Sequence, residues 1–187
     1  MDEVIHVLVH RGSRTMGYGY LVEGGRKTTR GLKGGNDEFS REALHDWLDE
    51  CRFLAYAPGI GTWTTVEVRV FPDGPGRLDV FEEEHLRKMN NGRWYPGAEP
   101  ADAAVWAKQL LKYPRTKDNI PSWMWDIFRA EGVTPPIYNP EFKSVDWKNR
   151  RRPVTGRGTD FGVEPTVIDP SLEPGVFAKI GKKLFGV

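Results

Sequence analysis

The sequence predicts a mixed α/β fold, with a β-β-β-α-β-α core over residues 1–133 and an extended, proline-rich C-terminal arm over residues 134–187. Three observations predict it. Residues 3–10, Glu-Val-Ile-His-Val-Leu-Val-His, are β-branched and apolar on both faces, as a central strand covered on both sides would be. Phe39, Ala43, Leu44, Trp47, Leu48, Cys51, Leu54 and Ala55 recur at helical spacing. Seven of the 14 prolines fall after residue 133, a density that opposes long helices and strand ladders.

The elements follow in order. Residues 15–23 read as a second strand, and Gly24-Gly25 as a hairpin turn into a short basic third strand at 26–33. Gly34-Gly35-Asn36-Asp37 breaks the chain and supplies a helix cap. The helix that follows runs about five turns, until Pro58-Gly59 ends it. Residues 64–71 alternate, with Val66, Val68 and Val70 on one face of a fourth strand that Pro72-Asp73-Gly74 stops. A helix is expected at 78–89, with Glu82-Glu83-Glu84 on its solvated face, then a Gly/Pro-rich loop at 90–100 and a helix at 101–112. Trp47 and Trp106 fit the buried faces of their helices. Residues 121–131 admit two readings. Alternating Trp123 and Trp125 suit a strand, while Pro121 and Gly132 bracket a helix.

Composition excludes several classes. Lys plus Arg is 27 against 26 Asp plus Glu, a net charge of +1, which argues against binding nucleic acid by bulk charge. A lone cysteine, Cys51, forms neither an internal disulfide nor a multi-cysteine zinc site. No apolar run approaches the ~20 residues of a membrane span. The acidic start, Met1-Asp2-Glu3, is unlike a signal peptide, so the expected location is cytoplasmic. For a viral chain that means host cytoplasm or virion.

The order β-β-β-α-β and several short words resemble the ribonuclease H fold over about residues 3–112. The first strand ends in Arg11-Gly12-Ser13, similar to the family's Asp-Gly-Ser-like turn. The second strand carries Gly17-Tyr18-Gly19. The run Val66-Glu67-Val68-Arg69-Val70-Phe71-Pro72-Asp73 resembles the fourth strand that ends in a catalytic Asp. Gly92-Arg93-Trp94 and Ala104-Val105-Trp106 resemble the family's Gly-Trp pair and later Leu-Trp.

That resemblance implies two divalent cations held by four carboxylates. The residues depart from it. Arg11 stands at the first-strand Asp position, and a guanidinium repels a metal. The helix Glu position falls near Ser40, with Glu38 and Glu42 two residues to either side and off its face. Asp73 alone matches. The reading is therefore of a degenerate, non-catalytic domain with no cofactor and no metal. The alternative is an active nuclease using Mg²⁺ at Asp73 with Glu42. His6 and His10 lie four apart on one strand, ~13 Å, too far for one ion.

Binding candidates lie elsewhere. Trp147-Lys148-Asn149-Arg150-Arg151-Arg152 joins a stacking plane to phosphate-pairing cations. It is read either as a nucleic-acid contact or as a basic linker that is solvated or paired with the acids at 158–174. Arg93 and Trp94 in their loop suit a protein partner or stacked bases. Phe177, Ile180 and Leu184 share one face of a short basic C-terminal helix, suited to a partner groove or to folding back on the domain. The expected function is a binding or assembly module, such as an accessory or virion component of a phage or mobile element. It would contact a protein partner, a larger assembly or an oligomer, and nucleic acid through the basic run.

Overall fold

A computed structural model of the chain describes residues 2–11, 14–28, 41–81, 92 and 101–173. They form an α/β structure of two antiparallel sheets and three helices. The first sheet has five strands in the order β3-β2-β1-β4-β5. These are β1 (Glu3–Arg11), β2 (Arg14–Glu23), β3 (Arg26–Thr28), β4 (Thr65–Val70) and β5 (Arg77–Phe81). As the sequence predicts, β1 is central and buried on both faces. Ile5 and Val7 pack with Val22 on one side. Leu8 packs with Val66, Trp63 and Leu48 of helix α1 (Arg41–Leu54) on the other.

The element order through β4 agrees with the sequence reading, but the strand direction does not. The order of a three-strand meander, a helix and a further strand leads to a mixed sheet, whereas every ladder among the described residues is antiparallel, β1 with β4 included. Two further expectations are corrected. The start of the expected 78–89 helix is strand β5, because Pro72 to Gly76 turns the chain back and Leu78 and Val80 then alternate with Arg77 and Asp79 alongside β4. Residues 82–90, Glu82-Glu83-Glu84 among them, lie outside the described residues. Trp47 is 52% exposed, since the buried face of α1 is centred on Leu48 and Arg52, four residues apart.

Helix α2 (Ala103–Lys112) starts at Asp102, whose carboxylate accepts from Val105 N at 2.9 Å. Residues 122–130 resolve the open choice as helix α3 (Ser122–Ala130). Its end is closed by Val133 N donating to Phe128 O at 3.0 Å and Gly132 N to Arg129 O at 3.2 Å. The two helices bury Trp106, Leu110, Met124 and Phe128 in one cluster, with Trp106 and Trp123 edge to face at 4.9 Å.

The expected extended arm at 134–174 is instead a second small sheet, ordered β10-β8-β7-β6, with β9 paired to β8. Its strands are β6 (Ile137–Asn139), β7 (Ser144–Trp147), β8 (Arg150–Thr155), β9 (Gly158–Thr159) and β10 (Thr166–Val167). The prolines punctuate this sheet and do not forbid it. Pro135, Pro136, Pro140 and Pro165 fall between strands, Pro170 opens a short 3-10 turn after the last described strand, and Pro153 sits within β8. Among the described residues no helix is long and apolar enough to cross a membrane.

The loop after α1 joins the two parts. Arg115, 3% exposed, follows α2 and donates from Nη2 to Thr62 O and from Nη1 to Asn119 O at 3.0 Å. Thr116 N donates to Gly59 O at 2.8 Å, and Tyr138 N of β6 donates to Arg115 O at 2.8 Å. Gly61, at φ 90°, lets the Arg115 side chain pass; a Cβ there would stand 2.4 Å from Arg115 Nε.

Strand β9 crosses the end of α2 just as closely. A Cβ on Gly158, at φ 101°, would lie 1.9 Å from Lys112 O, a backbone atom that cannot rotate away. Gly158→Ala is expected to cost about 3 kcal/mol or more in urea unfolding, strain and overlap together. Gly156→Ala, in open space, is expected to stay within about 0.5 kcal/mol of the parent.

Candidate functional site

The described part of the chain with the most recognition chemistry is the β7–β8 hairpin. Trp147 pairs with Arg150, which leaves a two-residue turn, Lys148-Asn149. Both residues are left-handed, at φ 50° and 58°. This turn type matches the twist of the strands, and Asn tolerates the conformation better than Lys does. The strain at Lys148 persists because its neighbour is clamped. Asn149 Oδ1 accepts from Asp169 N at 2.9 Å, Asn149 Nδ2 donates to Asp169 O, and Ile168 N donates to Asn149 O at 3.0 Å. Asp169 is itself set by Ser171, whose N and Oγ donate to Oδ1 at 2.9 and 2.6 Å and hold the carboxyl below its usual range.

The clamped tip forms one wall of an open groove of about 450 Å³. Ile137 and Tyr138 of β6 and Ile168 line it together with Trp147, Lys148 and Asn149. Trp147 is fixed by its Nε1, which donates to Thr134 O at 3.0 Å, and Lys148 Nζ stands 4.2 Å from the centre of its ring.

The arginines of the basic run are engaged within the fold, but among the described residues only Arg150 pairs with an acid of the 158–174 block. Arg150 Nη2 meets Glu173 Oε1 at 2.9 Å. Arg152 Nη1 donates to Val163 O at 2.7 Å and its guanidinium faces the Phe161 ring at 5.6 Å. Arg151 makes a two-pronged contact with Asp146, Nε to Oδ1 at 2.8 Å and Nη2 to Oδ2 at 2.9 Å, while lying 3.8 Å over Phe142. Asp146 also accepts from Ser144 Oγ at 3.1 Å and Asn139 Nδ2 at 3.2 Å. Arg151 first, then Asn139 and Ser144, hold the Asp146 carboxyl below its ordinary value. Lys148, by contrast, has no acidic partner among the described residues and borders the groove.

Asp73 does not stand where the resemblance implies, beside the end of β1. Val70 at the end of β4 pairs with Val4 at the start of β1, whereas Arg11 is the last residue of β1. Asp73 therefore lies beyond the opposite end of β1 from Arg11, seven residues or roughly 23 Å away at ~3.3 Å per residue. Asp73 is exposed in the turn after β4. Among the described residues no three of His, Cys, Asp and Glu group to hold an ion. Arg11 and Glu42 belong to β1 and α1, and their side chains are outside the described set. Glu38, Ser40, Arg93, Trp94, Phe177, Ile180 and Leu184 lie outside the described residues altogether.

Sequence reasoning missed Tyr138 and Ile168, and named Asn149 within the basic run without its role in the turn. The signal that could have found that role was a Lys-Asn pair between two short runs, a hairpin word. Comparison with known protein families, curated proteins and solved structures finds no match to this chain.

Two outcomes follow from this geometry. Lys148→Asn is expected to raise stability by about 0.5–1 kcal/mol in urea unfolding, because Asn accepts the left-handed turn more readily. As for pH, Asp146 has a lower pKa folded than unfolded, so added acid protonates the unfolded chain first. Its contribution is complete above the unfolded value of about 4 and disappears as pH falls through the folded value. In acid titrations of stability, Asp146→Asn should be less stable at neutral pH and should lose the part of the slope below about pH 4 that the parent shows.

Proposed function

We propose that this chain is a non-catalytic binding protein that grips an extended, acidic and apolar segment of a protein partner in the β7–β8 groove. The observation that carries the reading is the strained, clamped tip, which presents Trp147 and Lys148 beside Tyr138 and Ile168. Strain of this kind is retained where the surrounding structure enforces it, and it concentrates at recognition sites. The groove offers an apolar floor, an aromatic wall and two charged lining residues: Asp146, already matched by Arg151, and Lys148, without an acidic partner among the described residues, which favours a segment that alternates acidic and apolar side chains. A protein partner is favoured over nucleic acid because Arg150, Arg151 and Arg152 are engaged by Glu173, Asp146 and Val163 O. Phosphate binding would have to break those contacts first. The non-catalytic part of the reading is supported by the distance between Arg11 and Asp73 along β1.

The test uses the full chain and a library of short extended peptides carrying acidic, neutral or basic residues between apolar ones. Acidic members should shift the Trp147 indole N–H resonance. Lys148→Glu should reverse the charge preference, and Trp147→Ala should weaken binding by about tenfold or more. Tight single-stranded oligonucleotide binding with a steep salt dependence, and no peptide response, would overturn the partner class. Mg²⁺- or Mn²⁺-dependent cleavage of an RNA–DNA hybrid that is lost in Asp73→Asn would overturn the non-catalytic reading.

A further inference from the structure

The groove belongs to the second sheet. The first sheet carries a surface of a different kind at its β5 edge. In the order β3-β2-β1-β4-β5, β5 pairs with β4 on one side and with no described strand on the other. A strand in that position presents outward-pointing N–H and C=O groups, a template for a further strand. The opposite edge, β3, is guarded by two like charges, Arg26 and Lys27. β5 has no such guard. It reads Arg77-Leu78-Asp79-Val80-Phe81, with one cation and one anion two residues apart.

The register with β4 sorts these side chains onto two faces. Val80 lies opposite Val66 and Leu78 opposite Val68, on the face where Leu48 of α1 packs against Val66. That face is closed at Val66, which is 0% exposed, and open further out, where Val70, Leu78 and Val80 are 47%, 39% and 47% exposed. The other face is charged. Arg69 stands opposite Arg77, and Glu67 opposite Asp79. Like charges directly opposite one another destabilise a ladder. Each is offset along its own strand, Arg69 by Glu67, and Arg77 by Asp79 at 2.8 Å. The second of these pairs lies at the surface, where an ion pair contributes little and is readily exchanged for another.

We infer that β5 pairs antiparallel with β5 of a second copy of this chain, about a two-fold axis at Leu78, which joins the two first sheets into one. A two-fold axis normal to a sheet keeps every side chain on its own face. Side chains alternate along a strand, so the axis passes at a residue and not between two. An axis at Arg77 or at Asp79 sets like charges against each other. An axis at Val80 puts Asp79 opposite Phe81 of the partner subunit and leaves its charge unmatched. An axis at Leu78 puts Leu78 against the partner's Leu78, and Arg77 against the partner's Asp79 twice by symmetry. The exposed apolar row is then continued across the seam, and each like-charge pair with β4 gains an opposite charge on its outer side. The occupant is a second copy because the edge complements itself. Read along its own direction, the complement of Arg77-Leu78-Asp79 is base, apolar, acid, which is the same three-residue sequence.

The test is sedimentation equilibrium of the full chain over roughly a hundredfold range of concentration, where a monomer–dimer equilibrium is expected. Asp79→Arg sets two cations against each other at the seam, and Arg77→Asp sets two anions. Each variant alone should dimerise at least about tenfold more weakly than the parent. Each also replaces a like-charge pair with β4 by an opposite one, so neither should unfold the sheet. An equimolar mixture of the two variants restores both opposite-charge contacts and should recover dimerisation, which a pair of misfolded variants would not do. In the parent, amide exchange in β5 should slow as concentration rises, while Lys27 and Thr28 of β3 stay unchanged. A monomer throughout the range, a dimer that neither variant weakens, or a mixture that associates no better than its parts would each overturn the inference.

Discussion

The rest of the structure depends on Arg115. Its backbone and side chain tie three segments that are far apart in sequence: the 57–62 loop, the stretch from the end of α2 to Asn119, and β6. Gly59 N donates to Pro114 O, Thr116 N donates to Gly59 O, and Tyr138 N donates to Arg115 O, so the backbone forms a short ladder across the joint. The guanidinium adds bonds to Thr62 O and Asn119 O from a buried position. Each such carbonyl, left unpaired in the interior, would cost about 1–3 kcal/mol, so the loop cannot leave without several penalties at once. Gly61 makes the arrangement sterically feasible. The groove inherits its position from this clasp, because Tyr138 is held by Arg115 O and lines the groove floor.

Strand direction decides the other functional question. Antiparallel pairing of β1 and β4 brings Val4 to Val70 and carries Asp73 to the far end from Arg11. A two-metal centre needs carboxylates converging within a few ångströms of one point. A shared order of elements therefore does not bring the corresponding residues together.

Local words in the sequence were readable where one rule governed the outcome. The doubly buried β1 run, the Gly24-Gly25 hairpin and the alternation of Val66, Val68 and Val70 each follow from periodicity or turn chemistry. What was not readable depended on partners distant in the chain. Arg52 occupies the buried face of α1 because Trp63 O and Tyr113 await it, which no helical periodicity reveals. Trp47 faces outward for the same reason, since Arg52 and Leu48 set the helix rotation. Proline density concealed the second sheet, because prolines that bracket short strands look the same in composition as prolines in an arm. Of the candidate site, Trp147 and the basic run were legible. The pairing of Arg150 with Glu173 belongs to one of its readings, whereas the engagement of Arg151 by Asp146 was not foreseen.

Native-state hydrogen exchange on Arg115→Met tests the central claim most directly. If Arg115 fastens the joint, the amides of Gly59, Thr116 and Tyr138 lose protection together, the Trp147 indole changes environment, and the β1 amides of Val7 and Leu8 remain protected. If those three amides keep their protection, or if only Thr116 changes, the groove is positioned by something other than this clasp and the account is contradicted.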